Sequence, residues 1–197
     1  MDCLKYINNF FGHLKTVLVH KWWVFYYCCK FGIPHRGIFH DISKFSPTEF
    51  WESVKYYSGT RSPIDACKEV NGWSKAWIHH RGRNLHHYEA WQDNFDKGGE
   101  PLCMPIVYNL EMLCDYLAAG RAYMKKNFSY IAEYNWWKNK CKNPLAMHPV
   151  NKRFIDGMLY SFATPNFLYV LKRNKDTWYD YAKFKYREAK EIERYDG

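Results

Sequence analysis

Apolar residues recur at three- and four-residue spacing through most of this chain, which predicts helices rather than strands. Between residues 4 and 30, Ile7, Phe10, Phe11, Leu14, Val17 and Leu18 keep that spacing, and Gly32 with Pro34 ends the helix. His13 and His20 fall two turns apart and so share one of its faces, with His20 next to the apolar Trp22–Phe25 segment. His35 to Asp41 reads as a short helix that ends at a His-Asp pair. Ser46-Pro47-Thr48-Glu49 is a helix start, with serine as the cap, proline in the first turn and glutamate three residues after the cap. Phe50, Trp51, Val54 and Tyr57 mark the apolar side of that helix, and Gly59 to Pro63 is a loop.

Two shorter helical pieces follow, Ile64 to Val70 and Trp73 to His80, divided by Asn71-Gly72. Gly98-Gly99-Glu100-Pro101 is a turn. Met104 to Lys126 predicts a long helix with Pro105 in its first turn; Ile106, Leu110, Leu113, Leu117 and Ala118 mark its core side, and Glu111 and Asp115 stack on one face. An aromatic helix spans Ser129 to Lys140, and another opens at His148-Pro149, with His148 structural or capping, and runs to about Phe162. After the Thr164-Pro165 break, Asn174 to Tyr195 reads as an exposed charged helix carrying Asp176, Asp180, Lys183 and Lys185. The expected fold is all-α: a helical core over residues 1–126 and a C-terminal helical extension, 127–197, packed on the same domain.

Composition narrows the class. Aromatics make up 20% of the 197 residues, so the core should be rich in rings. Lys and Arg outnumber Asp and Glu by 29 to 20, which favours anionic partners such as nucleotides, phosphates or nucleic acid, or else a solvated basic surface. Seven cysteines are scattered without a CxxC pair, which fits reduced thiols rather than a zinc knuckle or a disulfide framework. His13, Lys15, His20 and Lys21 interrupt any signal-peptide pattern, and the apolar run Trp22 to Cys29 is short of a membrane span. A cytoplasmic protein with no membrane association is therefore expected; nothing in the sequence sets its oligomeric state.

The chemistry gathers at Phe39-His40-Asp41-Ile42-Ser43-Lys44. Adjacent imidazole and carboxylate groups at a helix junction suit iron, manganese, zinc or nickel. From His79 to Glu89, eleven residues hold four histidines, two arginines and a glutamate, flanked by Trp77 and Trp91 rather than by loop-type residues. A metal or substrate site explains this cluster better than a polar loop. His80 and His87 are the preferred ligands, with His86 close behind; which member of His79/His80 and of His86/His87 faces a metal is open. Arg83 and Asn84 between them are placed to hold a phosphate. Asp115, among Leu113, Cys114, Tyr116 and Leu117, needs a partner: a metal, or a base such as Arg121.

Taken in order, His20, His40-Asp41, His80, His86-His87 and Asp115 form an H…HD…H…H…D pattern that resembles the HD-domain superfamily of metal-dependent phosphohydrolases over roughly residues 10–126. More narrowly, His20-Lys21-Trp22-Trp23-Val24, His40-Asp41-Ile42-Ser43-Lys44-Phe45-Ser46-Pro47, Ala76-Trp77 and Asn84-Leu85-His86-His87 look like a small, functionally uncharacterised family of HD-like proteins from bacteria and their phages. The resemblance implies an HD-like helical bundle in which His20, His40, Asp41 and Asp115 bind one metal. A second metal would add His80 and one of His86 or His87, with Asp41 as the bridging carboxylate. It further implies that Lys44 approaches a substrate phosphate. Glu89 or Glu111 are candidates to orient the ligand histidines.

Three functions follow as expectations. The leading one is hydrolysis of a nucleotide, cyclic nucleotide or related phosphate ester by water activated on one or two divalent transition metals (Fe, Mn, Zn or Ni), with Asp41 and Lys44 as catalytic residues and Lys44, Arg83 and Asn84 binding substrate. The same ligand order also resembles di-iron HD-type oxygenases. A basic, aromatic-rich nucleic-acid-binding module is the third.

Overall fold

The computed structural model describes residues 3–174 and 177–196. Among them are ten α-helices: α1 (Cys3–Lys30), α2 (Pro34–Phe39), α3 (Pro47–Tyr56), α4 (Pro63–Asn71), α5 (Lys75–Arg81), α6 (Ile106–Met124), α7 (Tyr130–Lys140), α8 (Pro149–Ala163), α9 (Phe167–Arg173) and α10 (Trp178–Asp196). A short antiparallel pair, β1 (Gln92–Asp93) and β2 (Glu100–Pro101), interrupts them, with Gln92 opposite Pro101. The fold is all-α, and among the described residues no helix is long and apolar enough to cross a membrane.

Helix α1 is the spine. Its buried stripe is His13, Val17, His20, Val24, Tyr27 and Cys28. The expected apolar face is thus displaced: Ile7, Phe11 and Leu18 are exposed, and the two histidines occupy the interior in their place. Gly32, in the left-handed region at φ +69°, ends the helix. Helix α2 then folds back onto α1 at Gly37, where an added Cβ would lie 2.7 Å from the Phe25 Cα. Only glycine permits that approach, and it sets the direction in which the chain enters the His-Asp corner.

Helix α6 packs on α1 and is buried nearly all round. Leu110, Leu113 and Leu117 enter the main core; Glu111 and Asp115, a turn apart, point elsewhere, toward the polar interior described below. The core runs without a break across residue 127: Val24 and Tyr27 of α1 join Trp137 of α7, Phe154 and Leu159 of α8, and Ala182 and Ala189 of α10. Each large side chain buried there contributes about 1.5–3 kcal/mol by leaving water. All seven cysteines are free thiols.

Several boundaries differ from the sequence expectation. Pro105 caps α6 instead of lying in its first turn, because Ile106 is the first residue with helical geometry. The last helix starts at Trp178, and Asn174 instead ends the unexpected short helix α9, which buries Leu171. Asp176 lies outside the described residues. The Gly98-Gly99 turn joins β1 to β2, where no strand pairing was expected.

Candidate metal centre

His40 and Asp41 sit at the corner between α2 and a 3-10 turn, Ile42–Phe45. Asp41 holds a left-handed conformation at φ 51°, which aspartate tolerates better than most residues. The corner is pinned by Lys21, whose Nζ donates to the carbonyls of Ile38 at 2.6 Å and His40 at 2.8 Å. Helices α1, α5 and α6 and the loop after α5 bring the remaining polar side chains to it.

The Asp41 carboxylate divides the site in two. Its Oδ2 faces His40 Nε2 at 3.2 Å and His20 Nε2 at 4.0 Å, and Asp115 Oδ1 lies 3.0 Å from the same His20 nitrogen and 3.5 Å from that of His40. Its Oδ1 faces His80 Nε2 at 3.2 Å and His86 Nε2 at 3.4 Å, and His87 Nε2 lies 2.9 Å from His80 Nε2. The structure therefore brings His20, His40, Asp41 and Asp115 into one nest and Asp41, His80, His86 and His87 into another, each compact enough to surround one ion. His79 stands outside both: its Nδ1 donates to Glu49 Oε1 at 2.6 Å.

The inward-facing ligand atoms make no hydrogen bond of good geometry, although they lie at ion-pair distance from one another and Lys44 Nζ stands 2.6 Å from Asp41 Oδ2. His20 Nε2, His40 Nε2, His86 Nε2 and both oxygens of Asp41 are shielded from water without a hydrogen bond. Orphaned polar atoms at this depth are costly. Five of them converging between two nests is what a cation site of mixed nitrogen and oxygen ligands requires, so the residues fit one or two divalent transition metals.

The outward nitrogens are held by carboxylates. His40 Nδ1 donates to Glu111 Oε1 at 3.0 Å, and His86 Nδ1 lies 3.3 Å from the same oxygen. His80 Nδ1 donates to Glu49 Oε2 at 2.7 Å. Such partners fix the tautomer and leave Nε2 for a metal. Of the two glutamates expected in this role, Glu111 fills it and Glu89 bonds none of these histidines. The one the sequence concealed is Glu49. Ser46 caps α3 by accepting from the Glu49 amide at 3.4 Å, but the Glu49 carboxylate does not close a capping box; it turns to His79 and His80.

Electrostatics follow from this crowding. Burial disfavours charge on every group. For His40 the fields of Asp41, Asp115 and Glu111 outweigh it and raise the imidazole well above its ordinary value; for His80, Asp41 and Glu49 raise it to about 9. His20 and His87 go down, the former through burial and Lys44, the latter through burial and the neighbouring His86 and His80. Asp41 and Asp115 are held well below the usual carboxylate range despite burial, by His40, Lys44 and His80 in one case and by His20 and His40 in the other. Lys44 Nζ lies 2.6 Å from Asp41 Oδ2 and stays charged.

A cavity of about 190 Å³ opens beside the nests, lined by His20, Lys44, His80, His87 and Asp115 and continued by Val17, Pro63, Ile64, Trp77, Ala119 and Tyr123. His13, the other α1 histidine, also lines it; burial and then Lys44 lower its pKa to about 4. The three expected phosphate-binding residues separate here. Lys44 lines the cavity. Arg83 and Asn84 instead line an open cleft on another side of the corner, with Phe39 and Ile42. Asn84 Nδ2 is occupied internally, donating to Ser43 Oγ at 2.9 Å and to the His80 carbonyl at 2.8 Å, so it positions the α5 end. Arg121, considered as the partner of Asp115, donates to Tyr27 Oη at 2.8 Å.

The fold and site together define an all-helical protein with a carboxylate-divided cluster of histidines and aspartates that could hold metal. A family model described as a family of unknown function (DUF5662) matches residues 9–161, and the chain belongs to that family. No curated protein and no solved structure matches the chain.

Proposed function

We propose that this chain is a metal-dependent phosphohydrolase of HD type, acting on a phosphate ester small enough to reach a centre of two divalent cations. One observation carries the reading: Asp41 presents one oxygen to each nest, and the inward nitrogens of His20, His40 and His86 are buried beside it without a hydrogen bond. Bound there, a divalent pair supplies a Lewis acid for a phosphoryl oxygen and lowers the pKa of a coordinated water. His20, His40, Asp41 and Asp115 would hold one ion, and Asp41, His80, His86 and His87 the other. Lys44 reaches the cavity as a fixed cation paired with Asp41, placed to attract and orient an anionic ester. Glu49 and Glu111 hold the imidazoles in the tautomer that leaves Nε2 free. Val17, Ile64 and Ala119 add apolar surface to the same cavity, against which the organic part of an ester would rest.

The test is elemental analysis of the purified protein and of an Asp41→Ala, Asp115→Ala double variant, followed by a screen of phosphate esters. One or two equivalents of Fe, Mn, Zn or Ni in the wild type, absent from the variant, with ester hydrolysis by the loaded protein alone, is the expected result. A wild type that takes up none of these metals overturns the reading. The apolar cavity wall, with Lys44 as its one lysine among the described lining residues, favours a second reading, a di-iron oxygenase; two irons with redox-dependent colour and no hydrolysis would select it.

A further inference from the structure

A second cavity, of about 350 Å³, adjoins the first along Ser62, Ala119 and Tyr123, which line both. Its chemistry differs. Glu133 of α7 lines it, only 2% exposed, and its Oε2 is buried with no hydrogen-bond partner among the described residues. The carboxyl is held in place by close packing: a Cβ added at Gly120 would collide with Glu133 Oε2 and lie 3.0 Å from the Phe128 ring. A side chain so confined does not turn to solvent for a partner, and a buried carboxyl without one is costly.

The other lining groups also favour positive charge. Trp136 offers an aromatic surface, which already receives the Lys140 ammonium 5.4 Å from its ring centroid, and Asp65 stands exposed at the rim. Arg61, the one cation among the lining residues, is neutralised by a two-armed pair with Glu69, each arm 2.5 Å. An aromatic face beside carboxylates is the arrangement that receives ammonium-type cations.

We propose that this second cavity is a subsite for a cationic amine, with Glu133 as its counter-ion, so that the substrate is an organic phosphate carrying an amine at its far end. The phosphate half rests on the phosphohydrolase reading; the amine half rests on Glu133 and the other groups that line the second cavity. Burial, and after it the field of Asp115, raises the Glu133 carboxyl to about 8, and the groups around it are Asp65, Arg61 and Tyr123. An amine cation beside it would draw it back toward ionisation.

The experiment is calorimetric titration of the manganese-loaded full chain with a series of ω-aminoalkyl phosphates of increasing spacer length, each compared with the alkyl phosphate of equal length. The wild type is expected to prefer the amine-bearing compound by about tenfold at the best spacer, and Glu133→Gln, nearly isosteric, to abolish the preference. Equal affinity for the two series in the wild type, or a preference that survives in Glu133→Gln, overturns the subsite. If neither series binds, the phosphate reading has failed, and titration with diaminobutane decides the subsite separately. Saturable binding weakened in Glu133→Gln upholds it, and no binding overturns it.

Discussion

Glu49 on α3 accepts from His80 on α5 at 2.7 Å, and with its other oxygen from His79 at 2.6 Å. One carboxylate thus fixes the histidine that faces Asp41 and the one that does not. Glu49→Gln is expected to weaken the metal held by Asp41, His80, His86 and His87 by about 10–100-fold while sparing the other. Glu111→Gln, which removes the carboxylate facing both His40 and His86, should weaken both. Metal titration followed by calorimetry distinguishes the two variants; identical titration curves would contradict the division of labour.

Asp41→Asn keeps the shape and removes the charge. Without metal, the buried His40, Lys44 and His80 lose their common counter-ion. The cost is expected at about 3–5 kcal/mol, the range for breaking a buried pair from one side. Urea unfolding of metal-free protein measures it. The same variant should retain neither ion, and full metal content in Asp41→Asn would sink the bridging role.

The pH dependence of the metal-free protein is set by opposed histidines. His80, raised to about 9 from an ordinary 6.5, stabilises fully below about 6.5 and loses that contribution as pH rises toward 9; His40, also raised, acts in the same direction. His13, lowered to about 4, and His20 and His87, also lowered, bind protons more readily unfolded than folded, so stability falls as pH drops from 6.5 toward 4. The depressed Asp41, Asp115 and Glu111 (about 2) add a further loss in stronger acid. Urea midpoints should therefore peak near pH 6.5. Metal affinity should instead keep rising to about pH 9, because an ion displaces the protons of His40 and His80. A flat stability profile would show that these imidazoles are not buried as described.

Gly37→Ala tests the corner from a distance. The new methyl meets backbone, the Phe25 Cα, at 2.7 Å, with Cys28 Cβ at 3.0 Å, so α2 must move off α1. Overpacking of this kind costs about 1–3 kcal/mol. Since α2 leads into His40, loss of metal affinity should accompany the loss of stability. Wild-type affinity in a destabilised Gly37→Ala would show the corner to be independent of α2.

The sequence made the helices legible wherever spacing and punctuation agreed, as at Ser46-Pro47 and Gly32. It was less reliable about faces. On α1 the apolar residues Ile7, Phe11 and Leu18 suggested one stripe, while the buried one contains His13 and His20, because polar groups that meet across an interior are buried as deeply as apolar ones. The choice of His80 over His79 depended on where α3 places Glu49, a contact 30 residues apart that spacing cannot encode. Glu49 itself was hidden by its plausible role as a capping residue. Arg83 and Asn84 lie between the histidine pairs in sequence, yet the end of α5 places them on a separate cleft with Phe39 and Ile42. Helix α9 carried too short a pattern to register.

The family match ends at residue 161, yet the chain's architecture does not. Tyr186 of α10 donates its hydroxyl to the Met104 carbonyl at 2.6 Å, and Asn151 of α8 brackets the same residue, accepting from its amide at 2.9 Å and donating to its carbonyl at 3.1 Å. Met104 lies just ahead of α6, the helix that carries Glu111 and Asp115. The C-terminal helix is thus a brace on the rod that aims two of the site's acids. A fragment trimmed to the matched boundary would shed that brace and strip Phe154 of the Tyr186 ring that packs on it.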